Sequence, residues 1–208
     1  MSALAEWGPL VVATDIDDAV IDVIRKWINT YLSQAELERS LGDHALKRPR
    51  PANIINALTV AEFMDNALPA IVVNTTNTSS TPIVMAGGDT TAFWRATISC
   101  VVRGKTQPAT KWHASLYEGC VRRLMVQRAQ KEHGLITDCR WESTLVQPVA
   151  DTSGAGRWLA AGVGQFTLGV DVAMNGVVGP SVPDVGPYDP LATVQEIDVD
   201  LETMNGDG

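Results

Sequence analysis

Residues 93–102 alternate strictly between two sets of side chains, and no other pattern in the chain constrains the local fold so firmly. One set is apolar throughout and consists of Trp94, Ala96, Ile98, Cys100 and Val102. The other set is more polar and consists of Phe93, Arg95, Thr97, Ser99 and Val101. A period of two is that of a β-strand, whose successive side chains point to opposite faces. We therefore predict a strand over residues 92–104, with the first set facing a core.

The same strand leads into the sequence Gly104-Lys105-Thr106, which is also how a phosphate-binding P-loop ends. A P-loop requires GxxxxGK[ST], in which the first glycine frees a loop whose N–H groups wrap the phosphates. Here that first position is Ser99, which belongs to the alternating strand. We therefore expect a tight glycine turn before a helix, with Lys105 as a surface cation, and no nucleotide site.

Two long segments, residues 15–41 and 111–131, have helical periodicity. In the first, a capping pair formed by Thr14 and Asp17 is expected to start the helix. The apolar residues expected to face the core are Ile16, Val20, Val23, Trp27, Tyr31 and Leu32 in the first helix, and Trp112, Leu116, Cys120, Val121, Leu124 and Met125 in the second.

Further strands are expected at residues 68–74, 137–149 and 160–174, with a short helix at 59–66. The strand at 68–74 should pair with 92–104 in a long hairpin with a polar tip. The glycines of residues 162–169 should permit either close approach of another backbone or strand twist. The order of elements predicts an α+β fold: a mainly antiparallel sheet of about four strands, with two long helices packed on one face.

The end of the chain differs in composition from the rest, being rich in proline and glycine and then acidic. We predict a single α+β domain over residues 1–175 and an extended C-terminal arm over 176–208. The basic run formed by Lys47, Arg48 and Arg50 is read either as a solvated linker or as an arm that reaches an acidic neighbouring subunit.

No motif predicts catalysis, a cofactor or a metal site. The net charge of −8 argues against affinity for nucleic acid, and the three cysteines form no CxxC pair for zinc. The three histidines lack ligand spacing, and Ser153 lacks the GxSxG context of a hydrolase. The apolar runs fall short of the ~18–20 residues of a membrane span, and no signal peptide is recognisable, so we expect a soluble protein made in the cytoplasm.

Two stretches, residues 93–128 and 156–174, resemble the tail terminator (tail-to-head joining) proteins of long-tailed, siphovirus-type actinobacterial bacteriophages. In that family a strand with an aromatic-Arg-Ala pattern leads into a helix, and here this pattern is Trp94-Arg95-Ala96. A late R-x-L-A…F-x-x-x-V-x-V strand follows, which is similar to residues 157–172 here. The similarity covers roughly residues 15–175.

The resemblance implies a structural virion protein without enzymatic activity. It implies a hexameric ring on the head-proximal end of the tail tube, which stops tube polymerisation and joins the tail to the head–neck complex. The partners would be other copies of the chain, the major tail tube protein and a connector or stopper protein, with genomic DNA passing through the lumen unbound. The location would be the virion neck, and the host cytoplasm during assembly.

Two alternatives stay open. One is another small neck protein, such as a head-completion or stopper protein. The other is a small-molecule-binding domain or an enzyme of unrecognised type, which would need a concave pocket with perturbed titratable groups.

Within the terminator interpretation, several residues are candidates for contacts between subunits or rings. Arg95, Thr97, Arg103 and Lys105 would meet an adjacent ring, with an ordinary solvent-facing strand as the alternative. Arg122, Arg123 and Arg128 would pair with a neighbour's acidic tail, with intramolecular contacts or a solvated position as the alternative. Asp171 would line the lumen, and the candidate arm contacts are Lys47, Arg48, Arg50, Asp198 and Asp200.

Overall fold

The structure, a computed structural model, describes residues 11–42, 45–56, 68–77, 83–84, 90–149 and 158–172. Two helices and six strands follow in the order α1 (Ala13–Glu38), β1 (Ile54–Asn56), β2 (Ala70–Asn77), β3 (Ile83–Val84), β4 (Thr90–Gly104), α2 (Gln107–Glu132), β5 (Ile136–Val149) and β6 (Trp158–Val172). The helix predicted at 59–66, most of the hairpin tip and the arm at 176–208 lie outside the described residues. The domain boundary at 175 stays a prediction.

The strands form one mixed sheet in the order β1-β2-β4-β6-β5, and the two-residue β3 pairs with β4 outside this path. The α+β class is confirmed, but the sheet runs through five strands and not four. The additional strand is β1, which pairs in parallel with β2. Because β1 has only three residues, it is too short for its side chains to show an alternation in the sequence.

The predicted hairpin is confirmed, because β2 and β4 pair antiparallel from Ala70 opposite Val101 to Asn77 opposite Trp94. The apolar set of β4 faces the helices, with Ala96, Ile98 and Cys100 each 1% exposed or less. Both helices pack on this face and on each other. The predicted core side of the sheet is therefore the observed one.

Helix α1 begins two residues before the predicted start. The N–H of Val12 donates to Asp15 Oδ2 at 2.9 Å, so Asp15 caps the helix in place of the expected Asp17. The Asp17 side chain instead lies buried beside Thr75 of β2, on the face of α1 that packs against the sheet. The predicted apolar face of α1 is otherwise confirmed, with Trp27 half-buried.

Helix α2 is rotated relative to the prediction. Four of the predicted core residues are buried, namely Cys120, Val121, Leu124 and Met125. The buried stripe also includes Tyr117 and Glu118, however, whereas Trp112 is 44% exposed and Leu116 is half-buried. The expectation that Trp112 belongs to the core was therefore wrong. The contact of α2 with β6 sets the orientation of the helix. In this orientation Glu118 is buried, although a hydrophobic pattern would not assign a glutamate to the core.

That contact depends on the absence of a side chain at Gly162 of β6. A Cβ atom built there would lie 2.3 Å from the carbonyl oxygen of Ala114 in α2. A Cβ atom built on Gly164 would instead meet side chains, at 2.9 Å from the Phe166 ring and 3.3 Å from Glu118 Oε1. Gly162 thus allows the main chain of α2 to approach the sheet, which is one of the two roles that the sequence left open for these glycines.

We expect Gly162→Ala to destabilise the protein by about 1–3 kcal/mol, because α2 must move away from β6 to accommodate the methyl group. Urea unfolding followed by circular dichroism measures this loss. Gly134→Ala is the matched control, since a Cβ there meets no atom within 4 Å, and its effect should stay within about 0.5 kcal/mol. Equal effects of the two substitutions would contradict the packing described for α2.

Candidate assembly surfaces

The 14-residue strand β5 forms one end of the sheet. Within the described part of the chain, its outer edge pairs with no other strand. All its side chains from Arg140 to Pro148 are exposed except the half-buried Val146. The opposite end of the sheet is the three-residue β1, which offers far fewer unpaired main-chain groups. The long free edge of the described sheet is therefore that of β5.

The second half of β5, residues 143–149, has the uncharged sequence STLVQPV. Its pairing with β6 is continuous, from Ser143 opposite Gln165 to Val149 opposite Leu159, and the register shifts all lie before it. Natural edge strands are usually protected by charges, bulges or prolines. In residues 143–149 only Pro148 is a protective residue of this kind. Leu145, in the middle of the run, is 57% exposed. We call residues 143–149 the β5 edge, and its geometry suits addition of another strand.

A chain of contacts holds the β5 edge to α2. Thr144 Oγ1 donates to Glu118 Oε1 at 2.8 Å, and Trp141 Nε1 donates to Thr144 Oγ1 at 3.1 Å. The guanidinium of Arg122 stacks 5.0 Å from the Trp141 ring centre. Arg122, predicted to meet a neighbour's tail, thus stands where α2 meets the edge strand.

Two buried carboxyl groups have perturbed pKa values. Burial raises the pKa of Glu118, while the hydrogen bond from Thr144 and the charge of Arg122 oppose the shift. Burial likewise raises the pKa of Asp17, against the effect of Thr75. Glu118 is only 3% exposed and Asp17 6%, so both carboxyls lie inside the packing between the helices and the sheet. Among the described residues, no group of three His, Cys, Asp or Glu side chains could hold a metal ion.

Arg95 and Thr97 lie on the sheet face opposite the helices. Arg95 is exposed, and its Nε atom lies 3.3 Å from Glu142 Oε2 on β5. Glu142 also accepts a hydrogen bond from Thr167 of β6. The sequence placed Arg95 on a polar surface, and the structure joins it to a cluster that spans three strands.

The other two cations of this group, Arg103 and Lys105, line a surface cavity of about 530 Å³ together with Lys47 and Tyr117. The strand continues to Gly104, where a Cβ would lie 2.2 Å from Thr110 Oγ1 in the first turn of α2. Packing thus explains the glycine of the GKT sequence. The residues before it form a strand and leave no loop to wrap a phosphate.

The basic run at residues 47–50 contacts its own chain. Arg48 donates to both carboxylate oxygens of Glu36, at 2.8 and 2.6 Å, and this hydrogen bonding lowers the pKa of Glu36. The Lys47 ammonium donates to the carbonyl oxygen of Leu68. Both side chains thus make contacts within the fold, and the predicted reach of this run toward a neighbouring subunit stays a prediction. Arg50 is exposed.

Two of the three arginines predicted on α2 are also paired within the chain. Arg123 Nη1 lies 2.7 Å from Glu38 Oε1, and Arg128 stacks 4.2 Å from the Trp27 ring centre. The structure thus gives these two arginines intramolecular contacts, one of the placements that the sequence left open, and their pairing with a neighbour's tail stays a prediction. Asp171 belongs to β6, but its side chain lies outside the described residues, as do Asp198 and Asp200.

No helix among the described residues is long and apolar enough to cross a membrane. No known protein family matches the sequence, and a search of curated proteins finds no relative. A functional proposal for this chain therefore depends on the sequence resemblance and on the surfaces described above.

We expect Glu118→Gln to stabilise the fold at pH 8 and to have little effect at pH 4. A carboxyl whose pKa is raised by folding stabilises the protein below its unfolded pKa, and that contribution is lost as the pH rises through the folded pKa. Glutamine keeps the acceptor for Thr144 without the buried charge. Free energies of unfolding in urea at the two pH values measure the effect.

Glu36→Gln is the control with the opposite sign. Since Arg48 lowers the pKa of Glu36, this substitution should destabilise the protein at pH 8, with the loss fading toward pH 4. A Glu118→Gln variant that is less stable than wild type at pH 8 would contradict the account of Glu118.

Proposed function

We propose that this chain is a structural virion protein that forms a ring on the head-proximal end of a phage tail tube. The ring, hexameric by the family resemblance, stops tube polymerisation and joins the tail to the head–neck complex. The observation that carries the proposal is the uncharged β5 edge, because a regular, exposed strand without protective charges is suited to pairing with another subunit.

The two ends of the sheet differ, as ring closure requires. In a ring, subunits meet through two different surfaces, so each copy presents one patch to the copy before it and another to the copy after it. The sheet ends in a 14-residue strand on one side and a three-residue strand on the other. This asymmetry favours head-to-tail contact, with the β5 edge of one subunit receiving a segment of the next.

The charge of the chain is compatible with a DNA channel. A net charge of −8 repels the phosphate backbone, so DNA can pass through a lumen without being retained. Glu118 and Asp17, whose pKa values are raised by burial, lie in the packing between the helices and the sheet. These features support a protein that acts through its surfaces. A head-completion or stopper protein of the same neck is the second candidate.

The proposal is tested by adding the purified chain to growing tubes of the major tail tube protein. We expect ring-shaped density at one end of each tube in electron micrographs, and tube lengths that cease to increase. Tubes that keep growing with bare ends would contradict the terminator role. Binding to the head connector without binding to tubes would favour the stopper.

Leu145→Lys places a charge in the β5 edge and should raise the concentration needed for capping by about tenfold or more, equivalent to ~1.4 kcal/mol of contact energy. Leu37→Lys is the matched control, because Leu37 is 81% exposed on α1 and not part of the sheet. Its capping concentration should stay within about twofold. Equal capping by the two variants would show that the β5 edge is not the contact.

A further inference from the structure

Helices α1 and α2 enclose a surface groove of about 620 Å³. Its apolar lining includes Trp112, Leu116 and Val126, which lie along one stripe of α2. Trp112 is 44% exposed and Val126 52%. These are large apolar groups that the fold leaves open to solvent, in a concave site and in a line, which is the arrangement expected of a docking surface.

Gly119 lies in the same stripe, in the middle of α2. Glycine destabilises a helix relative to alanine, so a glycine there calls for a reason. At Gly162 the reason is the main chain of α2, but a Cβ on Gly119 would meet no atom within 4 Å. Packing within the described chain therefore does not require this glycine. The absence of a side chain at residue 119 would let another main chain approach α2 closely.

The rim of the groove is basic. Arg39, Arg122 and Arg123 line it, and Glu38 is the acidic residue among them. This local excess of positive charge stands on a chain whose net charge is −8. The groove therefore favours an occupant with apolar groups on one side and carboxylates on the other.

The end of this chain has that chemistry. Residues 176–208 contain seven of the 24 acidic residues and none of the 16 basic ones. Within them, residues 196–202 read EIDVDLE, so that acidic and apolar side chains alternate strictly. In an extended conformation the three apolar side chains share one face and the four carboxylates the other.

The lengths also agree. An extended segment of seven residues spans about 20–23 Å at ~3.3 Å per residue. The stripe of α2 from Trp112 to Val126 spans about 21 Å at 1.5 Å per residue.

We propose that residues 196–202 of one copy bind in the α1–α2 groove of a second copy. The main chain of the segment lies over Gly119, its apolar side chains contact Trp112 and Leu116, and its carboxylates pair with Arg39 and Arg122 at the rim. This contact requires only a second copy of the chain, so it stands apart from the tube-capping proposal.

The test uses full-length protein with a photo-crosslinking amino acid in place of Val126, which lines the groove and is 52% exposed. Equal amounts of ¹⁴N- and ¹⁵N-labelled chains are mixed, irradiated, digested and analysed by mass spectrometry. We expect crosslinks to the peptide that contains residues 196–202, with mixed isotopic composition. Links to other segments, or links only within one isotopic species, would overturn the proposal.

Two further variants separate docking from folding. Gly119→Leu fills the groove with a better helix former, so the crosslink yield should fall at least tenfold while the melting temperature stays the same or rises. Arg39→Glu with Arg122→Glu should lower the yield similarly, and adding Asp198→Lys with Asp200→Lys should restore at least half of it. An undiminished yield in Gly119→Leu, or no restoration in the charge-swapped chain, would refute the contact.

The outcomes of this test and of the capping assay are distinguishable. Capped tubes without the mixed-isotope link would overturn the tail contact and leave the ring proposal standing. The mixed-isotope link without capped tubes would overturn the ring proposal and leave the tail contact standing.

Discussion

The close contact between the main chain of α2 and Gly162 of β6 determines much of what the fold presents to its surroundings. It fixes the rotation of α2, so that Glu118 points to the sheet and meets Thr144 on β5. The same rotation turns Trp112 outward, into the groove with α1. A side chain at residue 162 would displace the helix and, with it, the support of the edge strand. One glycine thus links the core to both candidate surfaces.

These surfaces differ in chemistry and therefore in the kind of partner they suit. Within the described residues, the β5 edge has unpaired main-chain groups and uncharged side chains, which suit the addition of a strand. The α1–α2 groove offers exposed apolar side chains beneath a rim of arginines, which suit an acidic amphipathic segment.

The sequence predicted the helices and strands whose periodic patterns extend over many residues. The alternation through Ile98 identified β4 and its buried face, and the spacing in α1 identified its core residues. It missed β1, which has three residues and a partner distant in sequence. The predicted rotation of α2 was wrong because Glu118, which accepts a hydrogen bond from Thr144, lies within the buried stripe and interrupts its apolar pattern.

Prediction of the site was limited by the same physics. Arg122 and Arg123 were identified as exposed cations, but their partners Trp141 and Glu38 depend on tertiary contacts. The uncharged run at residues 143–149 is visible in the sequence, yet only the strand order places it at an edge.

Hydrogen–deuterium exchange of residues 143–149, compared between the free chain and rings on tube ends, tests the central claim most directly. We predict that its amides become strongly protected on assembly; rings that form while these amides exchange as fast as in the free chain would contradict the account.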